Sequence, residues 1–290
     1  MGDKVTFFNA KSLINCNGKL IDLSKPLIMG ILNITPDSFY DGNKYKNNDE
    51  IINRVGKMLD EGADIIDIGA VSTRPGADIL TEDIEKERLM PVLKLINSDF
   101  PGIIISVDTF RSKIAQLAVN EYDVSLINDI SGGTLDDSMF KTIADLQVPY
   151  ILMHIKGNPQ NMQSNPEYNN LFDEIFNYFS SKISVLKESG INDIIIDPGF
   201  GFGKTLEQNY EILKKIDLFK IFQLPILAGF SRKSMVTKLL NNTPEKALNG
   251  TTVLNTIALI GGANILRVHD VREAKEVITI YNKYLNSDVF

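Results

Sequence analysis

Residues 27–34 of this chain read Leu-Ile-Met-Gly-Ile-Leu-Asn-Ile, an almost unbroken apolar run. A short run without alternation of apolar and polar residues is typical of a strand buried on both faces. We predict a strand there and at the seven similar runs that follow, at 63–68, 103–107, 124–127, 148–153, 193–196, 224–227 and 264–268. The regular return of this pattern decides the predicted fold.

Stretches with helical periodicity separate the predicted strands. One such stretch has its apolar residues at Leu89, Met90, Val92, Leu93 and Ile96. Thr81 is the predicted N-cap of this helix, because a Thr hydroxyl accepts from the free amides of a first turn. A second stripe consists of Leu171, Ile175, Phe179, Ile183 and Leu186. Gly190 follows this stripe as a predicted stop.

Strands that alternate with helices predict parallel βαβ units. Eight of them in 290 residues favour an α/β fold of the (β/α)₈ TIM-barrel type, for which about 250 residues is typical. A doubly wound open sheet is the alternative. Asn17-Gly18 predicts a β-hairpin turn. We therefore predict an N-terminal hairpin, residues 1–26, that caps the barrel bottom, and a barrel domain over 27–290.

Composition narrows the partners and the compartment. Lys and Arg number 30 against 37 Asp and Glu, a net charge of −7, which disfavours nucleic acid and anionic membranes as main partners. Cys16 is the single cysteine, so neither an intramolecular disulfide nor a cysteine-based zinc site is expected. The N-terminus lacks the apolar core of a signal peptide, and no apolar run is long enough to span a bilayer. We expect a cytoplasmic protein.

Polar residues cluster at or just after the predicted strand ends. They are Asn33, Asp67, Asp108, Asn128, His154, Asp197, Gly229, Arg267 and His269. In a barrel, the carboxyl ends of all strands meet at the rim that carries active sites. Each of these residues alone could also be a helix cap, a turn residue or, for His154, a packing residue. Together they predict a site at the rim.

A glycine-rich stretch follows the sixth predicted strand at 197–204, Asp-Pro-Gly-Phe-Gly-Phe-Gly-Lys. Gly203-Lys204-Thr205 copies the end of a phosphate loop, but Pro198 stands where that motif needs its first glycine. A nucleotide triphosphatase is therefore disfavoured. The glycines would let the backbone approach a ligand closely. Phe200 and Phe202 indicate a wall for a flat ring.

Cationic residues follow the last two predicted strands. They are Arg232 and Lys233 after strand seven, and Arg267 with His269 at strand eight. A local cationic patch in an acidic protein predicts an anionic ligand, although a solvated basic turn is the alternative for 231–233. Because the chain has two His residues and one Cys, Mg²⁺ held by oxygen atoms is a better candidate than a transition metal.

Eight motifs in order resemble those of the dihydropteroate synthase family. They are 30–39, 67–76, 106–109, 128–133, 153–157, 197–204, 229–233 and 267–270. The resemblance covers roughly residues 27 to 280. Ala70-Val71 stands where many members have Gly-Glu, which affects loop detail only.

This resemblance implies a transferase of folate biosynthesis. Such an enzyme condenses 6-hydroxymethyl-7,8-dihydropterin diphosphate with p-aminobenzoate, releasing 7,8-dihydropteroate and diphosphate. The family further implies Mg²⁺ as the cofactor and a homodimer as the assembly.

The resemblance also implies roles for individual residues. Pterin contacts would come from Asp108, Asn128, Met153, Asp197, Phe202, Gly229 and Lys233. Diphosphate contacts would come from Asn33, Arg74, Arg267 and His269, with Mg²⁺ at Asn33. The p-aminobenzoate side and the lid would comprise Thr73, Arg74, Pro75, Phe202, Ser231 and Arg232. Asp108, Lys233 and Arg267 would be the catalytic residues.

Such a reaction fits a dissociative displacement, in which the C–O bond at the pterin methylene breaks first. The arylamine is already neutral at pH 7, so no strong general base is required. A pterin-binding or folate-binding methyltransferase domain is the alternative function, although it has no need for the anion site at 231–233, 267 and 269. A barrel that only binds pterin is a third interpretation. An aldolase would normally need a Lys at the end of strand six, where Ile196-Asp197 stands.

Overall fold

The computed structural model describes residues 13–34, 44–71, 80–157, 162 and 166–287. The predicted lid residues Thr73, Arg74 and Pro75 lie outside the described residues, as does most of the loop after the first barrel strand.

Helices and strands alternate along the chain after an initial pair of strands. The strands are β1 (Leu13–Cys16), β2 (Lys19–Asp22), β3 (Leu27–Asn33), β4 (Ile65–Gly69), β5 (Ile105–Asp108), β6 (Leu126–Asp129), β7 (Tyr150–Met153), β8 (Ile194–Asp197), β9 (Leu227–Ala228) and β10 (Ile265–Val268). The α-helices are α1 (Lys44–Asp60), α2 (Glu82–Asp99), α3 (Ser112–Tyr122), α4 (Met139–Leu146), α5 (Leu171–Glu188), α6 (Leu206–Lys214), α7 (Ser234–Thr237), α8 (Leu248–Gly261) and α9 (Val271–Leu285). Two 3₁₀ helices cover Ile216–Phe222 and Pro244–Lys246.

Strands β3 to β10 form one eight-stranded sheet in the order β8-β7-β6-β5-β4-β3-β10-β9. Neighbours in this sheet are parallel. A parallel bridge between Ile196 and Ile226 links the two edges, and the Ile196 amide donates to Pro225 O at 2.9 Å. The sheet is therefore a nearly closed barrel. The predicted TIM barrel is confirmed, and the alternative of an open doubly wound sheet is wrong.

The predicted N-terminal hairpin is present as the antiparallel pair β1 and β2. Asn17 (φ 52°) and Gly18 (φ 83°) form its turn, and both have the positive φ that an Asn-Gly hairpin turn requires. The apolar side chains of the hairpin and of Leu23 form one cluster with residues at the amino ends of the barrel strands. This cluster contains Ile14, Cys16, Ile21, Leu23, Met29, Ile65, Leu126, Ile151, Ile195, Leu227 and Ile265. The division into domains at residue 26 stays a prediction.

The helices cover the outside of the barrel with the faces that their periodicity predicts. Leu89, Leu93 and Ile96 of α2 are buried in the cluster between helices and strands. The Thr81 hydroxyl accepts from the Ile84 amide at 3.4 Å, which confirms the predicted cap. None of the helices in the described part of the chain is both long and apolar enough to cross a membrane.

Packing of the hairpin on the barrel predicts a stability difference between two neighbours in β1. Ile14 is 1% exposed, whereas Leu13 is 48% exposed. We expect Ile14→Ala to lower the free energy of unfolding by about 2–4 kcal/mol, because it leaves a cavity at the barrel bottom. The control Leu13→Ala should change it by less than about 0.5 kcal/mol. Equal effects in urea unfolding would contradict this packing.

Candidate functional site

The strand register brings predicted site residues together at the carboxyl rim of the barrel. Asp108, the last residue of β5, lies beside Gly69 on one side and Asn128 on the other. Asp197, the last residue of β8, lies beside Met153 of β7. The prediction that polar residues at the strand ends share one rim is therefore confirmed for these positions.

An ion cluster occupies the mouth of the barrel. The Arg267 Nε donates to Asp67 Oδ2 at 2.7 Å, and Nη2 lies 2.6 Å from the same oxygen. The same Nη2 donates to Asp108 Oδ2 at 2.7 Å. Two carboxylates thus share one guanidinium, and all three side chains are buried or nearly so. Arg267 points into the barrel mouth rather than outward from the rim.

Asp67 is the partner to which the sequence interpretation gave no role, although it placed Asp67 among the polar residues at the rim. It is fully buried within β4, and it also accepts from Ser106 Oγ at 2.6 Å and from Asn128 Nδ2 at 3.2 Å. The available signal was a charged residue within the apolar segment Ile65-Ile66-Asp67-Ile68. A buried charge of this kind requires a partner, and the structure supplies Arg267.

A buried lysine organises the loop after β8. Lys204 is 2% exposed, and its ammonium donates to three carbonyls: His154 O at 3.2 Å, Gly199 O at 2.9 Å and Phe202 O at 2.9 Å. Burial lowers the pKa of Lys204 to about 7, although Asp197 opposes this shift. The Lys204 ammonium thus stabilises the loop from inside, by donating to carbonyls of the loop and of the segment after β7.

Two glycines of this loop allow its backbone to approach another segment of the chain closely. Gly199 has φ +71°, and a Cβ there would lie 1.9 Å from His154 O. Gly203 has φ +61°, and a Cβ there would lie 2.4 Å from Lys156 O. Both positions exclude a side chain because the loop backbone approaches the segment after β7. His154 itself is buried against Tyr178, with ring centroids 4.9 Å apart, which agrees with a packing role.

Lys233 lies against this loop. Its ammonium donates to Phe200 O at 2.6 Å and lies 4.7 Å from the centroid of the Phe202 ring. Burial lowers the pKa of Lys233 to about 8, while the charge of Asp197 opposes the shift. Asp197 accepts from the Gly199 amide at 2.7 Å. Burial raises the pKa of Asp197, and Lys233 opposes this change.

An apolar wall stands beside these charges. Met153 forms a buried cluster with Phe110, Ile130, Ile155 and Met162, and Phe202 packs against the cluster. Gly229 lies on the opposite strand end, where a Cβ would be 3.7 Å from Arg267 Cβ and 3.8 Å from Lys233 Nζ. The structure therefore combines a flat apolar surface with buried donors and acceptors. Such a combination suits a polar aromatic ring.

Ser231 and His269 form a pair at the rim. The Ser231 Oγ accepts from the His269 amide at 3.1 Å and lies 2.9 Å from His269 Nδ1. Burial lowers the pKa of His269 to about 3, with Arg232 and Arg267 adding to the shift, so the ring is neutral at pH 7. In the tautomer that accepts from the Ser231 hydroxyl at Nδ1, the ring proton lies on Nε2.

Arg232 is directed to the surface. It adopts a left-handed backbone conformation (φ 58°), and its Nη2 donates to Asp270 Oδ1 at 2.7 Å. The side chain is 42% exposed. Arg232 is therefore close to Ser231 in sequence but is not part of the buried ion cluster around Arg267.

Asn33 offers one oxygen for a metal at the end of β3. Its Oδ1 lies against Gly69, on the side where Asp108 is the next neighbour across the sheet. Among the described residues, His, Cys, Asp and Glu form no group of three or more that could hold a metal. Mg²⁺ usually binds through one or two carboxylates together with water and substrate phosphate. Asn33 would therefore supply one amide oxygen to an ion held mainly by water and phosphate.

The chain matches a known family over most of its length. The pattern of the family described as pterin binding enzyme matches residues 29–269. The dihydropteroate synthase of Escherichia coli K12 is 39% identical over 272 residues, which cover 93% of this chain and 95% of that protein.

Solved structures agree with this match. The Yersinia pestis dihydropteroate synthase, solved with a sulfonamide drug complex, superposes with a TM-score of 0.88 at 39% identity and covers 95% of this chain and 100% of that one. The Xanthomonas albilineans dihydropteroate synthase, solved with 4-aminobenzoic acid, gives a TM-score of 0.88 at 32% identity, covering 96% of this chain and 99% of that one.

The contacts of Lys204 predict a large loss of stability when its ammonium is removed. We expect Lys204→Met to lower the free energy of unfolding by about 2–4 kcal/mol, because three buried carbonyls lose their donor. Lys214→Met on the exposed face of α6 is the matched control and should cost less than about 0.5 kcal/mol. Chemical denaturation at pH 7 measures both, and a neutral Lys204→Met would refute the role.

Proposed function

Because the chain belongs to the dihydropteroate synthase family of pterin-binding enzymes, we propose that it makes 7,8-dihydropteroate. Its substrates are 6-hydroxymethyl-7,8-dihydropterin diphosphate and p-aminobenzoate, and diphosphate is the second product. The observation that carries this proposal is the group of polar residues at the rim, where Asp108 and Asn128 end neighbouring strands and Lys233 lies against Phe202 of the apolar wall.

The pterin is proposed to bind between this wall and the buried polar groups. The edge of a pterin has several N–H donors and ring acceptors, and buried carboxylate and amide groups match such an edge selectively. Asp108, Asn128 and Asp197 supply the carboxylate and amide groups, and the Lys233 ammonium supplies a donor. Met153 and Phe202 pack against the ring face, and Gly229 leaves room beside Lys233.

The diphosphate is proposed to bind on the Asn33, Arg267 and His269 side of the site, with Arg74 joining from the loop. Arg267 supplies positive charge, and the neutral His269 donates from Nε2. Mg²⁺ would be held by Asn33 together with phosphate oxygens, and when bound it neutralises charge on the departing diphosphate. These groups make the diphosphate a better leaving group because they stabilise the charge that develops on it.

The p-aminobenzoate is proposed to enter from the outer rim. We assign Ser231, Arg232 and Phe202 to that side, and Thr73, Arg74 and Pro75 of the loop after β4 would complete it. Arg232 is exposed and paired with Asp270, so a benzoate carboxylate would replace or share that partner. An exposed ion pair contributes little stability, and its exchange for a ligand carboxylate costs little.

The chemical step is proposed to be dissociative. The C–O bond between the pterin methylene and the diphosphate breaks with its electron pair leaving on the diphosphate oxygen. The arylamine lone pair then forms the C–N bond, and the amine proton is released to water or diphosphate. Asp108, Lys233 and Arg267 act by holding the ring and the leaving group, so no strong general base takes part.

The assembly and compartment belong to the same proposal. We propose a homodimer through the last helices, because Val253, Ile257 and Ile260 of α8 and Ile280 of α9 are exposed apolar side chains. We also propose that the protein acts in the cytoplasm, where a single cysteine can stay reduced.

Diphosphate release tests the function directly. The purified chain should release diphosphate from the dihydropterin diphosphate when p-aminobenzoate and Mg²⁺ are present, and an equal amount of 7,8-dihydropteroate should form. Removal of Mg²⁺ by chelation should slow the release. A chain that binds the dihydropterin diphosphate but forms no dihydropteroate would instead support the interpretation as a barrel that only binds pterin.

Asp197 should be required for pterin binding. The Asp197→Ala variant removes the acceptor beside Lys233, so calorimetry should show no measurable binding of the dihydropterin. Asp193→Ala is the control, because Asp193 lies four residues earlier, directly before the start of β8. This variant should bind the dihydropterin with near-wild-type affinity. Near-wild-type affinity in Asp197→Ala would refute the proposed pterin site.

The two perturbed pKa values predict a narrow pH range for pterin binding. Burial raises the pKa of Asp108 to about 7, and burial lowers that of Lys233 to about 8. Asp108 is ionised above its pKa and Lys233 is protonated below its own, so affinity should be greatest between about pH 7 and pH 8. Lys233→Arg keeps its charge at higher pH and should lose the alkaline fall in calorimetric titrations. An unchanged alkaline fall in that variant would contradict the assignment to Lys233.

A further inference from the structure

Asp67 is the most buried member of the ion cluster, and the function proposed above gives it no task. Its carboxylate accepts from three other barrel strands, through Ser106 of β5, Asn128 of β6 and Arg267 of β10. These bonds fix both oxygens of the carboxylate. Burial of a charge costs free energy even when the charge is paired. We therefore expect the buried carboxylate of Asp67 to have a function.

The way in which Asp67 binds the Arg267 guanidinium indicates this function. Asp67 Oδ2 contacts both Nε and Nη2 of Arg267, which form one edge of the planar group. Asp108 contacts Nη2 alone. Asp67 therefore sets the orientation of Arg267, whereas Asp108 shares one of its nitrogens. Among the described residues none accepts a hydrogen bond from Nη1, so its two N–H groups can donate to a ligand.

A conflict arises at Asp108. In the free protein its Oδ2 accepts from Arg267, yet the proposed pterin site requires the same carboxylate to accept from the ring. Arg267 binds only Oδ2 of Asp108 and leaves Oδ1 for the ring, so the ion pair has to stay in this one-oxygen form. If Asp108 were the only carboxylate partner, the guanidinium would be free to bind both of its oxygens.

We propose that Asp67 is a positioning residue that holds Arg267 so that one oxygen of Asp108 stays available to the pterin ring. This inference rests on the proposed function, because the pterin is the ligand that binds Asp108. Asp67 binds the Nε and Nη2 edge of the guanidinium, and Ser106 and Asn128 hold Asp67 in place. Without the charge of Asp67, Arg267 would pair with Asp108 alone, and the pterin would have to break that pair in order to bind.

A double-mutant cycle tests this role with 6-hydroxymethyl-7,8-dihydropterin, which has no diphosphate and so does not depend on Arg267 as an anion ligand. Calorimetry measures its Kd in the wild type, Asp67→Asn, Arg267→Met and the double variant. We expect Asp67→Asn to raise Kd about tenfold when Arg267 is present and by less than about twofold in the Arg267→Met background. A merely structural defect would raise Kd equally in both backgrounds.

Asp129→Asn is the matched control. Asp129 is also fully buried at a strand end, but it accepts from Tyr150 OH at 2.6 Å and from the Ser131 amide at 2.7 Å instead of from Arg267. Its effect on Kd should be the same in both backgrounds. If Asp67→Asn does not fold, Ser106→Ala replaces it, because loss of that hydroxyl frees Asp67 Oδ1. We expect Ser106→Ala to raise Kd about threefold, again only when Arg267 is present.

Three results would overturn the inference: an equal loss in both backgrounds, no loss with Arg267 present, or an Arg267→Met variant that no longer binds the dihydropterin. The last result would mean that Arg267 binds the ring itself and does not compete for Asp108. A wild-type protein that binds no dihydropterin would refute the proposed function instead, so the two failures are distinguishable.

Discussion

The site depends on one guanidinium shared by two buried carboxylates. Arg267 lies in the barrel mouth between Asp67 and Asp108, and each of these side chains is buried or nearly so. Neither carboxylate would be stable there as an anion without this cation, and the cation would not point inward without them. The eight-stranded ring makes the arrangement possible, because it brings β4, β5 and β10 to one mouth.

Burial around this cluster also prepares the site for a polar ligand. It raises the pKa of Asp108 to about 7 and lowers those of Lys233 and His269 to about 8 and about 3. The rim therefore contains a carboxylate and an ammonium close to their titration points, and a neutral imidazole. A ring with several donors and acceptors can replace the internal partners of these groups at little cost.

Most of the fold was predictable because the apolar runs mark strands buried on both faces, and the stripes of α2 and α5 mark helices packed on one face. The convergence of Asp108, Asn128 and Asp197 followed from the barrel rule. The role of Asp67 did not, because its contact with Arg267 crosses β3. Arg267 is paired with Met29 and Asp67 with Ile31 on the two sides of that strand. Such a contact requires the register and curvature of three strands, which a linear pattern does not contain.

The loop at 197–204 shows a second limit of sequence reasoning. Its glycines predicted a close approach to a ligand, but at Gly199 and Gly203 the close approach is to the chain itself. Lys204 resembled a phosphate-loop lysine, yet it is buried under three carbonyls of its own neighbourhood. In both cases the residue type correctly indicated a close contact, but the partner in that contact is determined by the folded loop.

The most direct measurement is a crystal structure of the protein with a bound dihydropterin. The account predicts that Arg267 stays within about 3 Å of Asp67 while Asp108 Oδ1 accepts a hydrogen bond from the ring. A bound ring that lies away from Asp108, or an Arg267 that has left Asp67, would contradict it.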